Sequence, residues 1–259
     1  MTASVKTFYD ELASDYHLIF EDWDATIKRQ AAVLGSVLER ELSSTELRVL
    51  DCACGIGTQT LGLAGCGHRV IGCDLSSAAV KRMCAEASQR RLDVQGFVAD
   101  LLDLTLIPEE GFDAVICMDN ALPHLRAQDE VAQATTQIRR KLRPGGLFLA
   151  SIRDYDALVR DKPVVQGPAF YADDGRRRIV HQVWDWLDDR RYIFHLYITR
   201  ETSDGWESQH FVSTYRALLR SDLANALEQT GFLGVRWLFP TESGFYQPIV
   251  LANTPVRVP

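Results

Sequence analysis

Long apolar runs are missing from these 259 residues, and no segment is apolar over a length that could cross a membrane. Residues 1–10 lack the apolar stretch of a secretory signal peptide, and neither internal repeats nor low-complexity segments occur. With 46% hydrophobic and 24% charged residues, the composition excludes a disordered chain and predicts a substantial core. We therefore expect a cytoplasmic globular protein without a membrane partner.

Excess positive charge is also missing. The chain has 35 acidic residues against 28 Lys and Arg, which gives a formal net charge of −7. Nucleic-acid binding rewards clustered basic residues, so this balance predicts no nucleic-acid partner. The exceptions are two short basic clusters, Arg139-Arg140-Lys141 and Arg176-Arg177-Arg178, which we interpret as a helix end and a solvated turn.

A zinc-ligand spacing is missing among the cysteines. The six cysteines are Cys52, Cys54, Cys66, Cys73, Cys84 and Cys117. All except Cys84 lie in or beside apolar segments, as is typical of reduced and mostly buried side chains in a cytosolic protein. We accordingly predict free thiols and no bound metal.

Between residues 47 and 152, segments with strand character alternate with helical segments. The predicted strands are 47–52, 68–74, 94–98, 112–118 and 146–152, and the predicted helices are 58–65, 76–90 and 128–142. This alternation favours right-handed crossovers and a parallel sheet with helices on both of its faces.

The regions on either side follow different patterns. Two amphipathic helices, 5–16 and 23–42, come before the alternating region. After it, strands are predicted at 179–187, 192–200 and 211–215, which are too close together for helical crossovers and should pair antiparallel. A predicted helix and two predicted strands then complete the sheet, at 220–231, 233–239 and 246–253.

Together these patterns predict an α/β fold. Its centre is a Rossmann-like, seven-stranded, mostly parallel sheet with helices on both faces. We assign residues 1–259 to a single domain. Residues 1–44 are its helical N-terminal cover, 45–153 and 218–259 its core, and 154–217 an antiparallel insertion over the active site.

The turn after the first predicted strand reads Asp51-Cys52-Ala53-Cys54-Gly55-Ile56-Gly57-Thr58. Glycines at these two positions let the backbone approach a nucleotide-like ligand closely. A dinucleotide-binding turn has Gly or Ala where this chain has Thr60. Asp51, at the strand end, would repel a pyrophosphate and attract a cationic amino group. The turn therefore predicts a cofactor other than a dinucleotide.

Two further acids follow the next two strands. Asp74 ends the second strand, where a carboxylate can accept both hydroxyls of an adenosine ribose, and Asp100 follows the third, where it can accept an adenine amino hydrogen. S-adenosylmethionine combines a ribose, an adenine and a positively charged amino-acid tail, so the three acids predict this cofactor. The alternative is that Asp51, Asp74 and Asp100 only cap helices.

Residues 45–152 resemble the class I S-adenosylmethionine-dependent methyltransferases. Within that superfamily, residues 115–125, VICMDNALPHL, resemble glycine N-methyltransferase and its relatives, as do residues 142–147, LRPGGL, and 153–156, RDYD. The N-terminal pattern Phe8-Tyr9-Asp10, Tyr16 and Trp23 resembles the helical cover of such small-molecule enzymes. The resemblance fades across 157–217, the part that should recognise the acceptor.

The resemblance implies a set of cofactor contacts. Residues of the helical cover would lie over the methionine end, the two glycines would approach it, and the acids at the strand ends would hold ribose and adenine. The predicted cofactor-binding residues are Tyr9, Tyr16, Trp23, Arg29, Asp51, Ala53, Gly55, Gly57, Asp74, Leu75, Asp100, Leu101 and Met118.

Three residues are candidates for catalysis. His124 follows the fourth strand, in the crevice where ligands bind in such sheets, and could take a proton from the acceptor. Alternatively, it shapes the loop through a backbone hydrogen bond. Asn120 could orient the substrate or hold the same loop. Tyr155 could offer an aromatic face to the positive charge that moves during methyl transfer.

The acceptor side is predicted less fully. Candidate substrate-binding residues are Asp154, Trp184, Tyr215 and Tyr246. Trp184 could alternatively pack the insertion onto the sheet. Glycine-binding relatives have an Asn where this chain has Asp154, and they have an Arg in the insertion that does not align here. An acid at 154 suits a cationic acceptor better than a carboxylate.

The sequence thus predicts an S-adenosylmethionine-dependent methyltransferase, an enzyme that transfers a methyl group to a small molecule by in-line displacement. An amine nitrogen, of an amino acid or a natural-product amine, is the favoured acceptor. O-methylation of a small molecule is the first alternative, and binding of the cofactor without transfer is the second. Monomer and homo-oligomer remain equally open.

Overall fold

The computed structural model describes residues 4–108, 110–173 and 175–256, except for the side chain of residue 173. The outermost residues of the predicted domain, 1–3 and 257–259, lie outside this part of the chain.

Helices and strands alternate through most of the chain. The α-helices are α1 Val5–Leu12, α2 Trp23–Leu42, α3 Thr58–Gly65, α4 Ser77–Gln89, α5 Gln128–Lys141, α6 Tyr155–Asp161, α7 Arg220–Gln229 and α8 Pro240–Ser243. The strands are β1 Arg48–Asp51, β2 Arg69–Asp74, β3 Val94–Val98, β4 Phe112–Cys117, β5 Leu142–Ser151, β6 Val165–Asp173, β7 Arg176–Trp186, β8 Arg191–Thr202, β9 Gly205–Arg216, β10 Leu233–Leu238 and β11 Ile249–Asn253. Short 3₁₀ turns lie at Tyr16–Ile19 and Leu122–His124.

A seven-stranded sheet forms the centre, with the strand order β10-β11-β5-β4-β1-β2-β3. Strands β1 to β5 pair in parallel, and β11 is antiparallel to both of its neighbours. Neighbouring residues of a central strand belong to different apolar clusters, because successive side chains point to opposite faces. Leu50 packs in the cluster that contains Ile138 of α5, whereas Val49 packs in the one that contains Leu38 of α2. The predicted α/β sheet with helices on both faces is confirmed.

A second sheet has four antiparallel strands in the order β6-β7-β8-β9. Its inner-face residues Trp184, Phe194 and Tyr215 are buried in the same cluster as Phe8 of α1. The antiparallel insertion is therefore confirmed as a separate sheet. Its first strand, β6, was not predicted, because Gly167-Pro168 interrupts the segment and an edge strand lacks regular apolar alternation.

Two local expectations were wrong. The first predicted helix continues only to Leu12 and is followed by a 3₁₀ turn, in place of one helix over 5–16. The basic cluster Arg176-Arg177-Arg178 is part of β7 and not a solvated turn. Arg178 is buried and donates to the carbonyl oxygens of Leu18 and Phe20. This residue therefore ties the insertion to the helical cover.

The cysteines are all free: Cys52, Cys54, Cys73 and Cys117 are buried, Cys66 is exposed and Cys84 is partly exposed. Among residues 4–108, 110–173 and 175–256, no group of His, Cys, Asp and Glu could hold a metal ion. Within these ranges, every helix is too short or too polar to span a bilayer.

Helices α2 and α3 touch at a glycine. A Cβ on Gly62 would lie 2.7 Å from Ala31 Cβ and 2.9 Å from the carbonyl oxygen of Ile27. The two helices can therefore lie this close only because residue 62 has no side chain. Gly35, also inside a helix, has no neighbouring atom within 4 Å of such a Cβ.

Replacing these two glycines should have opposite effects on stability. Gly62→Ala should lower the free energy of unfolding by about 1–3 kcal/mol, because the added methyl group overpacks the α2–α3 contact. Gly35→Ala should raise it by about 0.5–1 kcal/mol, because alanine loses less backbone entropy in a helix. Urea unfolding of both variants measures the difference. Equal effects would contradict the close approach at Gly62.

Candidate active site

The loops after β1, β2 and β4 leave the sheet at one edge, because the three strands are parallel neighbours. These loops, with the segment after β3, surround a cavity of about 300 Å³, called here the inner cavity. It lies where ligands bind in open α/β sheets, beyond the carboxyl ends of the strands. Of the predicted site residues, its lining includes Tyr9, Tyr16, Ala53, Gly55, Asp74, Leu75, Asp100, Leu101, Met118 and His124.

Asp74 organises the floor of the inner cavity. Its carboxylate accepts hydrogen bonds from the backbone N–H of Gly55, at 2.8 Å, and of Ser76, at 2.9 Å. Burial raises the pKa of this carboxyl group. Two carboxylate oxygens have about four acceptor positions, so two are left for ligand hydroxyl groups. Asp100 similarly accepts from the N–H of Leu102 at 2.9 Å and keeps acceptor capacity toward the cavity.

Asp51 lies beneath the glycine turn and not in the cavity lining. It is fully buried and accepts a hydrogen bond from Thr60 Oγ1 at 2.7 Å. Its Oδ1 has no hydrogen-bond partner among the described residues, and burial raises the pKa of its carboxyl group to about 7. Thr60 thus donates a hydrogen bond to the buried carboxylate. This contact accounts for a threonine at the position where a dinucleotide-binding turn has Gly or Ala.

In addition to Asp51, three predicted cofactor residues do not line the inner cavity. Trp23 contacts a residue of the lining, because its indole N–H donates a hydrogen bond to Oγ1 of Thr58 at 2.9 Å. Gly57 has φ of 98°, and a Cβ there would lie 2.6 Å from Met83 Cγ, so it serves the turn and its packing. Arg29 lines a second, larger cavity.

The second cavity measures about 760 Å³ and is called here the outer cavity. It lies between the helical cover, the sheet edge and the insertion. Tyr9, Tyr16 and Asp119 line both cavities, so the two meet at these residues. Of the remaining predicted residues, Asn120, Asp154, Trp184, Tyr215 and Tyr246 line the outer cavity, whereas Tyr155 is buried behind it.

Asp119 is a site residue that was not predicted. Its carboxylate accepts from Tyr246 Oη and from Gln59 Nε2, each at 2.7 Å, and burial raises its pKa. The backbone at Asp119 and Asn120 is left-handed, with φ of 54° and 69°. Two consecutive residues in this costly region hold the loop in one conformation at the junction of the cavities. The hydrogen-bond partners of Asp119 are distant in the sequence, so the residues around position 119 did not indicate that it belongs to the site.

His124 contacts the same junction. Its Nε2 lies 2.9 Å from Tyr9 Oη, and its ring centroid lies 4.0 Å from that of Tyr215. Burial and the nearby charge of Arg153 lower the pKa of His124 to about 3. The imidazole is therefore neutral at physiological pH and a weak proton acceptor. This disfavours the role of general base that the sequence suggested.

Asn120 and Tyr155 form a buried polar network with Tyr192. Asn120 Nδ2 donates to Tyr155 Oη at 3.0 Å, and Asn120 Oδ1 accepts from the backbone N–H of Arg153 at 3.1 Å. The hydroxyl groups of Tyr155 and Tyr192 are 2.9 Å apart. These contacts join the loop after β4 to the end of β5 and to the insertion. They match the alternative in which Asn120 holds the loop.

Arg153 was not predicted either. Its guanidinium donates to Tyr192 Oη at 3.0 Å, and it lies 4.7 Å from the ring centroid of Trp184 and 5.6 Å from that of Tyr215. The aromatic faces of Trp184 and Tyr215, two of the candidate substrate-binding residues, therefore meet Arg153. The residue stands in the segment 153–156 that carries the family resemblance, but its aromatic surroundings come from the insertion.

Asp154 lies at the rim of the outer cavity, and its charge is already compensated. Its side chain caps α6 by accepting from the N–H of Ala157 at 3.3 Å, and it pairs with Arg220. A carboxylate in this pair attracts a cationic acceptor less strongly than a free one does.

A family model described as a methyltransferase domain matches residues 49–146. Glycine N-methyltransferase of Mus musculus is 34% identical to this chain over 123 residues, which are 43% of the chain and 42% of the relative. The chain thus matches less than half the length of this relative. The residues that the family model matches, 49–146, include the loops after β1, β2, β3 and β4 that line the inner cavity.

Solved structures extend the likeness of fold beyond that segment. A S-adenosylmethionine-dependent methyltransferase from Clostridium acetobutylicum superposes with a TM-score of 0.73 at 16% identity, covering 88% of this chain and 92% of its own. The sugar N-methyltransferase KedS8 from Streptoalloteichus gives 0.73 at 18% identity, covering 98% and 94%. The family match, together with the inner cavity that its residues line, identifies residues 49–146 as a methyltransferase domain.

Proposed function

We propose that this protein transfers a methyl group from S-adenosylmethionine to an amine nitrogen of a small molecule. The observation that carries the proposal is the meeting of two cavities at Tyr9, Tyr16 and Asp119. The inner cavity has the acids expected for a ribose and an adenine, and the outer one has room for a separate molecule. A reacting centre at their junction would touch both ligands.

The residues of the inner cavity fit S-adenosylmethionine. Asp74 keeps acceptor positions for two ribose hydroxyls, and Asp100 can accept an adenine amino hydrogen. The orphaned oxygen of Asp51 favours positive charge near the glycine turn. When bound, this cofactor supplies an electrophilic methyl group on a sulfonium. The chain itself has to bind, align and shield the two reactants.

Alignment is the main contribution that the junction can make. Orientation of two reactants can supply about 7–11 kcal/mol of a reaction barrier. Tyr9 is held by His124, and Asp119 is held by Tyr246 and Gln59, so both side chains are fixed before a ligand arrives. We propose that the helical cover, 1–44, and the insertion, 154–217, belong to the same domain as the core and close over the site.

The low pKa of His124 favours nitrogen over oxygen as the methyl acceptor. An alcohol or phenol must lose a proton to become a good nucleophile, and an imidazole with a pKa of about 3 accepts that proton poorly. A neutral amine needs no base to attack, and an apolar pocket lowers an amine's pKa. The same choice is supported by two similar proteins that are N-methyltransferases by name, glycine N-methyltransferase and the sugar N-methyltransferase KedS8.

Transfer of a labelled methyl group to a panel of amines, amino acids, phenols and carboxylates tests the proposal. We expect methylated nitrogen in at least one class. Methylation confined to hydroxyl or carboxyl oxygen would reject the nitrogen assignment. Saturable cofactor binding with no methylated acceptor would instead favour a binding protein.

Asp74→Ala should weaken S-adenosylmethionine binding by about 100-fold, because it leaves two ribose hydroxyls without acceptors at about 1–2 kcal/mol each. Isothermal titration calorimetry measures the change. Asp93→Ala removes an exposed acid in the turn before β3 and is the matched control. An unchanged affinity in the folded Asp74 variant would contradict the proposed ribose site.

His124→Ala should lower kcat roughly 100-fold while cofactor affinity changes little, because Tyr9 loses the partner that fixes its hydroxyl group. Tyr9→Phe removes the same hydrogen bond and should have a similar effect. His181→Ala, on a part of the insertion outside both cavities, is the control.

The pH profile of kcat/KM should show no ionisation from His124 between pH 5 and 8, since its pKa of about 3 lies far below that range. Activity should instead rise with the fraction of unprotonated amine in the acceptor. A step near pH 6.5 that disappears in His124→Ala would restore the base role.

A further inference from the structure

One acid of the site belongs to both cavities. In the part of the chain that the structure describes, Asp119 is the only acidic residue that lines the inner and the outer cavity. Its two hydrogen-bond donors come from opposite sides, because Gln59 lines the inner cavity and Tyr246 lines the outer one. The carboxylate therefore lies at the junction, where the methyl donor and the acceptor would meet.

No cation compensates the charge of Asp119. Its donors, the phenol of Tyr246 and the amide of Gln59, are neutral groups, each at 2.7 Å. Over residues 4–108, 110–173 and 175–256, no Lys, Arg or His forms an ion pair with this carboxylate. Asp154, at the rim of the outer cavity, is by contrast paired with Arg220. A partly buried charge without a counter-ion is costly, so positive charge on a ligand at the junction would be favoured.

Asp119 also keeps capacity to accept a hydrogen bond from a ligand. Its two oxygens have about four acceptor positions, and Tyr246 occupies one on Oδ1 and Gln59 one on Oδ2. The backbone beneath it is fixed by Ser151, whose Oγ accepts from the N–H of Asp119 at 2.8 Å and whose carbonyl oxygen accepts from the N–H of Asn120 at 3.1 Å. The carboxylate is thus oriented before a ligand binds, which is what electrostatic stabilisation of a transition state requires.

We propose that Asp119 is a catalytic residue, which accepts a hydrogen bond from the N–H of the acceptor amine and stabilises the positive charge that forms on its nitrogen. The proposal rests on the proposed function, because it concerns the reacting nitrogen of the same site. It assigns the acceptor to the primary and secondary amines, because a tertiary amine has no N–H to donate.

The hydrogen bond to Asp119 gives the amine its direction. When the N–H of a neutral amine points to the carboxylate, the nitrogen lone pair is free to attack the methyl group. As the N–C bond forms, the C–S bond breaks and its electrons stay on sulfur, so the positive charge passes to the nitrogen. The nitrogen then gives its N–H proton to Asp119, which returns it to solvent as the neutral methylated amine leaves. A carboxylate beside the nitrogen stabilises this charge more strongly in a shielded site than in water.

Two nucleosides test the charge at the junction without any methyl transfer. S-adenosylhomocysteine has no group at the reacting position, whereas sinefungin has a protonated amine there. Both would bind through the inner cavity, so the identity of the acceptor does not matter. Calorimetry should show that the wild-type protein binds sinefungin about 10-fold more tightly or better, the size expected for a hydrogen bond to a charged group. Equal affinities, or weaker binding of sinefungin, would overturn the proposal.

Three variants assign this preference to the carboxylate. Asp119→Asn removes the charge but tolerates the left-handed backbone, and it should abolish the preference for sinefungin. Tyr246→Phe removes one donor and leaves the carboxylate, so it should keep the preference. Asp93→Asn neutralises an exposed acid before β3 and should behave as wild type. A preference that survives in folded Asp119→Asn, or one that Tyr246→Phe abolishes equally, would show that the carboxylate is not responsible.

Methyl transfer adds a test of the N–H requirement. Whichever primary or secondary amine of the panel is methylated, its N,N-dimethyl form should not be an acceptor, and Asp119→Asn should lower kcat about 100-fold on the amine itself. The affinity for S-adenosylhomocysteine should change little in this variant. Formation of a quaternary ammonium at a comparable rate would contradict the role of the N–H.

The two experiments separate this inference from the function on which it rests. If amines are methylated and sinefungin has no advantage, the role of Asp119 is wrong and the function stands. If sinefungin is preferred through Asp119 and no amine is methylated, the cation site stands and the function is wrong. If neither nucleoside binds, both proposals are wrong.

Discussion

The parallel pairing of β1 with β2 and with β4 is the constraint on which the site depends. Asp51 pairs with Gly72 of β2 and with Ile116 of β4, so the loops that follow the three strands begin at one edge. Asp74 then joins two of these loops through the N–H of Gly55. A slip of β2 by one residue would turn Asp74 to the other face of the sheet and remove this acceptor.

The site divides its charges between its two cavities. Acids predominate where the sheet strands end, whereas Arg153 in the outer cavity is supported by aromatic rings and not by a carboxylate. Its charge also contributes to the neutral state of His124. This effect follows from burial, because electrostatic interactions weaken in water.

Prediction from the sequence was most successful where the responsible contacts are local. The helix Thr58–Gly65 and the strand Val94–Val98 have the predicted bounds, because apolar periodicity and turn residues are properties of adjacent positions. The cavity lining at Gly55, Asp74 and Asp100 follows from strand order alone. By contrast, Asp119 was missed although its segment was singled out, because its partner Tyr246 is 127 positions away.

By itself, the sequence determined the α/β sheet, the glycine turn and the acids at the strand ends, because the pattern of each strand and the residues after it specify all three. Only the tertiary structure decided the acceptor side. Trp184, Phe194 and Tyr215 come from three strands of the insertion, and their rings meet at Arg153 only once those strands pair and pack on the core. The pKa of His124 likewise depends on burial by elements far apart in the chain.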